Sequence, residues 1–246
     1  MMGRFGRSYK EYDFEMFSLS HFVIMGIFIL IAISIFLFRD KLAAGEWRKT
    51  EIGFAISLIL IDLTYHLWMV VNGSWNVSHS LPLELCNISL VLTVLLLLTR
   101  QKLIYEVLLF TALLGASQAI ITPSLNYDFP HFRFFHFFYT HIMITWVTLY
   151  FTWAKGYRPT IWSVVKLMFF LNILMPIIIL INKLVNGNYM FLSKKPDRWS
   201  LLDVLGPYPW YILSLEGLSI TLSLIVWLVF REKDKHKVPK NINMEG

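Results

Sequence analysis

Seven runs of mostly apolar residues, each about as long as a bilayer is thick, constrain this chain more than any other feature of its sequence. In an α-helix roughly 20 such residues cover the ~30 Å hydrocarbon core. The runs extend from Leu19 to Phe38, Glu51 to Val71, Leu81 to Thr99, Leu103 to Thr122, Phe134 to Trp153, Ile161 to Ile181 and Tyr208 to Phe230, with polar or Gly/Pro-bearing segments between them. Only 15% of the 246 residues are charged and 57% are hydrophobic, whereas about a quarter of a soluble domain is charged. The expected fold is therefore all-α: a polytopic membrane protein, a single-domain bundle of seven transmembrane helices over residues 1–246. The first run follows acidic Glu11, Asp13 and Glu15 and lacks an A-x-A exit, so it reads as a span rather than a signal peptide. The connection from Asn182 to Pro207 is the one long loop and is expected to act as an extracellular cap over the bundle. Residues 231–246 form a basic tail.

The formal charge of +6 does not point to a nucleic-acid partner, because the cations lie in short flanks between apolar runs and form no stripe. They act instead as topology signals. Arg39, Lys41, Arg48, Lys49, Arg100, Lys102, Lys155, Arg158 and the tail cations Arg231, Lys233, Lys235, Lys237 and Lys240 fall on one side. The smaller set on the other side is Arg4, Arg7, Lys10, Arg133, Lys183, Lys194, Lys195 and Arg198. The positive-inside rule then puts the amino terminus outside and the carboxyl terminus in the cytoplasm. A single cysteine, Cys86, permits no intramolecular disulfide.

Alternating helix directions give each polar residue a side of the membrane. His21 opens the first run, Asp62 and His66 lie near the end of the second, and Glu84, Cys86 and Asn87 open the third. Ser117, Gln118 and Thr122 close the fourth; His136, Thr140 and His141 lie in the first half of the fifth, and Ser214 and Glu216 in the first half of the seventh. All fall on the outer side, as do six of the seven histidines (His21, His66, His79, His131, His136 and His141), leaving His236 in the tail. The inner half reads as plain. Intramembrane ionisable groups face a bundle interior or a water-filled cavity, since lipid exposure costs ~2.5 to 3.5 kcal/mol each. A shared polar cavity is the economical reading; interfacial anchoring and helix–helix hydrogen bonding are the alternative.

Helical spacing sorts the candidates. Asp62 and His66 are four apart, which suits either a carboxylate orienting an imidazole or a structural ion pair. On a straight helix Cys86 shares a stripe with Ser89 and Thr93, while Glu84 pairs with Asn87 and lies about 160° from Cys86. Pro82 suits a first helical turn, and a carboxylate at Glu84 is favoured by the macrodipole. Free cysteine also packs as a small hydrophobe. Gly115 and Ala116 permit close helix approach, and the Gln118 amide can donate into the cavity. His131, His136 and His141 are spaced by five, and no H-x-x-x-H pair puts two ligands on one face, so no metal and no cofactor are expected. The chemistry this set can run is acyl transfer, in which a thiolate attacks an ester carbonyl, a histidine moves protons and an amide donor holds the oxyanion.

LPLELCNIS, GASQAIITPSL, FPHFRFFHFFYTHIMI, and NYMFLSKKP followed by SLLDVLGPYPWYI resemble, in order and from about His21 to Tyr211, the bacterial YwaF-type multipass membrane proteins. That family is similar to eukaryotic transmembrane acyltransferases that remodel phospholipid acyl chains with a cysteine and a downstream histidine. The resemblance implies a multipass protein of the bacterial plasma membrane in which Cys86 is the acyl-accepting nucleophile and His141 its base, with His136 as substitute. It implies a membrane phospholipid or other lipid ester as partner; the candidate binding residues, His66, Asp62, Glu84, Asn87, Gln118 and Glu216, come from the shared polar cavity read above. The competing expectation is a non-enzymatic seven-helix binder or transporter of a small polar solute.

Overall fold

A computed structural model describes residues 3–6, 12–196 and 201–232. Each of the seven apolar runs contains a helix. They are α1 (Leu19–Leu37), α3 (Arg48–Val71), α4 (Leu85–Thr99), the continuous stretch of α5 (Lys102–Thr111), a π-helical turn (Ala112–Ala116) and α6 (Ser117–Ile121), then α7 (Phe132–Trp153), α8 (Ile161–Val185) and α10 (Trp210–Phe230). The short α2 (Arg39–Ala44) follows α1, and the short α9 (Leu201–Val204) precedes α10. No strand is present among the described residues. The tail from Lys233, the cap-loop residues 197–200 and the cations Arg7 and Lys10 lie outside them.

Five of these helices are long and apolar enough to cross a membrane: Leu19–Leu37, Arg48–Val71, Lys102–Ile121, Ile161–Val185 and Trp210–Phe230. Two of the seven predicted runs fall short, for different reasons. The third run was expected from Leu81, but α4 starts only at Leu85 and has 15 residues, ~22 Å at 1.5 Å per residue. Leu81–Pro82–Leu83 forms a tight turn, with the Leu83 N–H on the Leu81 carbonyl at 2.8 Å, so Pro82 lies outside the helix instead of in its first turn. The fifth run forms a 22-residue helix, α7, whose first turns carry Arg133, His136 and His141. Most of α7 is buried, including Phe134, Phe138, Ile142, Thr145 and Thr148. A central helix need not meet lipid and can afford polarity.

Peripheral helices show the reverse. In the apolar windows of α1 and α10 only 6% of residues are buried, against 56% for Lys102–Ile121. Leu19, Phe169 and Leu184 are 81%, 69% and 74% exposed, an apolar surface that suits hydrocarbon and not water. The π turn in ALLGA carries Ala112 and Ala116 fully buried against α4 and α7, which is the close approach its small residues predict.

The end of the bundle expected to be plain is not. Glu51, at the start of α3 and 2% exposed, accepts from Arg100 (Nε 2.7 Å, Nη2 2.6 Å) and from the Tyr150 hydroxyl (2.8 Å), with Arg48 at 3.5 Å and Lys155 at 3.9 Å. Arg48 also donates to the carbonyls of Leu97 and Leu98, closing the end of α4. Glu106 is likewise satisfied, by Lys166 at 2.5 Å and Ser163 at 3.0 Å. Both carboxylates lie in the half that was expected to be plain, near the starts of α3 and α5.

Candidate functional site

At the opposite end, the start of α4, the end of α3, the first half of α7 and the His79–Leu81 segment enclose a cavity of about 260 Å³. Cys86 and Asn87 from α4, Asp62 from α3, His136, Thr140 and His141 from α7, and Glu84 all line it. Six of the nine residues singled out from sequence thus meet in one chamber. Glu84 differs from its expected relation to Cys86. It stands just before α4 with extended backbone (φ −69°, ψ 149°), so helical spacing does not separate the two side chains, and both face the same space.

The two α7 histidines are held in different ways. His141 Nδ1 lies 2.7 Å from the Phe137 carbonyl, an atom that can only accept, so Nδ1 carries the proton and Nε2 has a free lone pair. His136 Nδ1 lies 2.9 Å from Nη1 of Arg133, which can only donate, so in the neutral ring the proton sits on Nε2. That Nε2 is buried without a hydrogen-bond partner; the nearest carboxylate oxygen, Asp62 Oδ1, is 3.8 Å away. One imidazole presents an acceptor and the other a donor.

Arg133 lies over the Tyr65 ring at 4.1 Å and donates to His136, and no carboxylate comes within 4.0 Å of it among the described residues. Sequence reasoning counted Arg133 only as a topology signal and passed over Tyr65. The available signal was its place three residues before His136, on one helical face, in an otherwise aromatic stretch.

A turn is tied to the edge of the site. Asn182 grips Tyr189 through both backbone groups, accepting from its N–H at 2.8 Å and donating to its carbonyl at 3.0 Å. The Tyr189 hydroxyl donates to the Val77 carbonyl at 2.7 Å and accepts from the Leu81 N–H at 2.9 Å; burial raises its pKa and keeps it protonated. Glu84 Oε2 accepts from the Met190 N–H at 3.0 Å, tying the turn to the start of α4. The cap was expected from Asn182, but α8 continues to Val185, and the Tyr189–Phe191 turn that follows lines the neighbouring cavity through Met190 and Phe191 rather than the polar chamber.

Against the sequence of this arrangement, the TMEM164 family matches residues 16–229. The chain belongs to the TMEM164 family. Family membership and the apolar helices make it a multipass membrane protein. No curated protein and no solved structure matches it.

Three predicted binding residues lie elsewhere. His66 stands behind Asp62, its Nε2 at 4.0 Å from the carboxylate and its Nδ1 accepting from Trp75 Nε1 at 3.3 Å. Gln118, whose amide was expected to donate into the cavity, lines neither this cavity nor its neighbour; it follows directly on the π turn of Ala112–Ala116. Glu216 lines a second, more apolar cavity and accepts from Asn172 at 2.6 Å. Two other histidines are structural. His21 accepts from the Phe17 N–H and donates to the Ile120 carbonyl (3.0 and 2.8 Å). His131 caps α7 by accepting from the Arg133 N–H at 3.1 Å and donates to the Gly6 carbonyl at 2.9 Å; burial lowers its pKa from the ordinary 6.5.

Proposed function

We propose that this TMEM164-family protein is a membrane-embedded lipid acyltransferase or acyl hydrolase, with Cys86 as nucleophile and His141 as base. The observation that carries the reading is that Cys86 and an imidazole with a free Nε2 lone pair line one chamber. In the reaction the Cys86 thiol gives its proton to His141 Nε2 as sulfur attacks the ester carbonyl of a phospholipid. The tetrahedral adduct expels the glycerol oxygen, which takes the proton back from His141, and the acyl group remains as a thioester on Cys86. A lysolipid hydroxyl or water then attacks that carbonyl and gives its proton to His141. The carbon–sulfur bond breaks, and the proton returns to the Cys86 sulfur.

His136 serves as donor rather than substitute base, since its Nε2–H points from a buried ring with no partner and suits an oxyanion. Arg133, a partly buried cation without a carboxylate, suits the lipid phosphate. The finer setting belongs to the same proposal: seven spans with the amino terminus outside, a chamber facing the outer leaflet, and a YwaF-type protein of the bacterial plasma membrane. The distribution of Lys and Arg supports that orientation.

Intact-mass analysis of the purified protein after incubation with phospholipid vesicles tests the mechanism. The expected result is a fatty-acyl adduct on the wild type and none on Cys86→Ser, with unchanged melting. Turnover retained by Cys86→Ser removes the thiol mechanism, and ligand-induced stabilisation with no adduct on any variant identifies a binder instead.

A further inference from the structure

The second cavity, about 370 Å³, lies between α8 and α10 and shares two wall residues, Glu84 and Cys86, with the polar chamber. Its other walls are largely aliphatic, with Met168, Leu171 and Met175 from α8 and Ile212 and Leu215 from α10. Met190, Phe191 and Leu192, in and just after the Tyr189–Phe191 turn, line one end. The chief polar feature is the Glu216 carboxylate, one oxygen of which accepts from Asn172 Nδ2 at 2.6 Å. Cys86 therefore stands at a boundary: Asp62, Arg133, His136 and His141 on one side, and a mostly aliphatic wall with Glu216 as its one further charged group on the other.

That division matches an ester amphiphile, whose carbonyl is the junction between a polar head and an apolar chain. We propose that the chamber between α8 and α10 holds the acyl chain while its carbonyl meets Cys86, and that Met168 and Ser219, at the end remote from that turn, limit the chain length accepted. This rests on the acyl-transfer reading above and adds the seat of the chain and the residues that measure it. The span fits. Seven residues separate Met175 from Met168 on α8 and Ile212 from Ser219 on α10, a depth of ~10 Å at 1.5 Å per residue. A volume of about 370 Å³ lies within the ~300–1,000 Å³ of small-molecule sites. Methionine, flexible and polarisable, lines a wall that must follow a mobile chain.

The test compares adduct formation from dilauroyl and dihexanoyl phosphatidylcholine, read as a rate ratio. Met168→Trp fills the remote end and is expected to lower the lauroyl-to-hexanoyl ratio by about tenfold or more, because losing room for even one methylene costs ~10-fold or more in a hydrophobic pocket. Met168→Ala, which opens the same end and does not strain the helix, is expected to raise the ratio for palmitoyl over lauroyl. Ratios unchanged in both variants, with wild-type adduct present, overturn the chain chamber alone. If the wild type forms no adduct from any of these lipids, the acyl-transfer reading falls first and takes this inference with it.

Discussion

At one end of the bundle Glu51 is surrounded by Arg100, Arg48, Lys155 and the Tyr150 hydroxyl; at the other, Arg133 and Glu84 line cavities with no opposite charge within 4.0 Å among the described residues. Both ends lie beside helix termini of the same helices, and both carry buried ionisable groups. They differ in whether the protein completes its own electrostatics. A carboxylate whose oxygens are all taken can only hold elements together, whereas a cation left beside an unfilled space is available to something that enters it. Charge pairing thus separates groups the protein has already satisfied from groups left open to a partner better than depth or residue type does.

Several measurements would break or sharpen that contrast. The largest effect is expected at the paired end. Glu51→Ala leaves three cations without their carboxylate and should destabilise the detergent-solubilised protein by about 3 kcal/mol, the low end of the ~3–5 kcal/mol for a broken buried pair because the arginines are partly exposed. Chemical unfolding that puts Glu51→Ala at wild-type stability would remove the structural reading of this hub.

At the unpaired end the signature should invert. Arg133→Gln is expected to cost ~1.5–3 kcal/mol of phospholipid binding, about 10- to 150-fold in the half-saturating concentration, while the melting temperature stays level or rises because no ion pair is lost. A stability loss comparable to that of Glu51→Ala would mean that Arg133 is structural after all.

His131 supplies a smaller, pH-dependent effect. Its folded state resists the proton that the unfolded chain accepts near pH 6.5, because Nδ1 is occupied by the Arg133 N–H and the ring is buried. Stability from this group is therefore full above about pH 6.5 and declines as the pH falls below it. His131→Asn retains a capping side chain but cannot titrate, so the difference between wild-type and variant melting temperatures should change between pH 7.5 and pH 5.5; a constant difference would contradict this.

The smallest effect belongs to an exposed pair. Arg39 and Asp40 are 3.9 Å apart with side chains 41% and 90% exposed, and Asp40→Ala should shift stability by no more than ~0.5 kcal/mol. A larger shift would show that ion-pair distance, not burial, governs the energetics here.

Much of the site was legible in the sequence because alternating helix directions bring every second helix end to the same end of the bundle. That bookkeeping alone gathered Asp62, Glu84, Cys86, Asn87, His136 and His141. It failed where the backbone departs from a straight α-helix. Glu84 lies outside α4, so its predicted 160° separation from Cys86 has no meaning. It also failed where partners come from distant segments. Nothing local in Glu51 announces that Arg100 and Tyr150 will reach it, and nothing local in Arg133 announces that no carboxylate will.

By itself the sequence determined the class of molecule, since apolar runs of bilayer length leave the backbone only the helix as a way to satisfy its hydrogen bonds in hydrocarbon. It also determined which helix ends share one end of the bundle, because successive helices run in opposite directions. Only the tertiary structure decided which polar groups are spent on each other and which remain free, that His141 offers an acceptor where His136 offers a donor, and that Cys86 stands between a polar and an apolar chamber. The reason is range: hydrogen bonds and ion pairs act over about 3–4 Å, and such distances between residues far apart in the chain are fixed by helix packing rather than by any local pattern of residues.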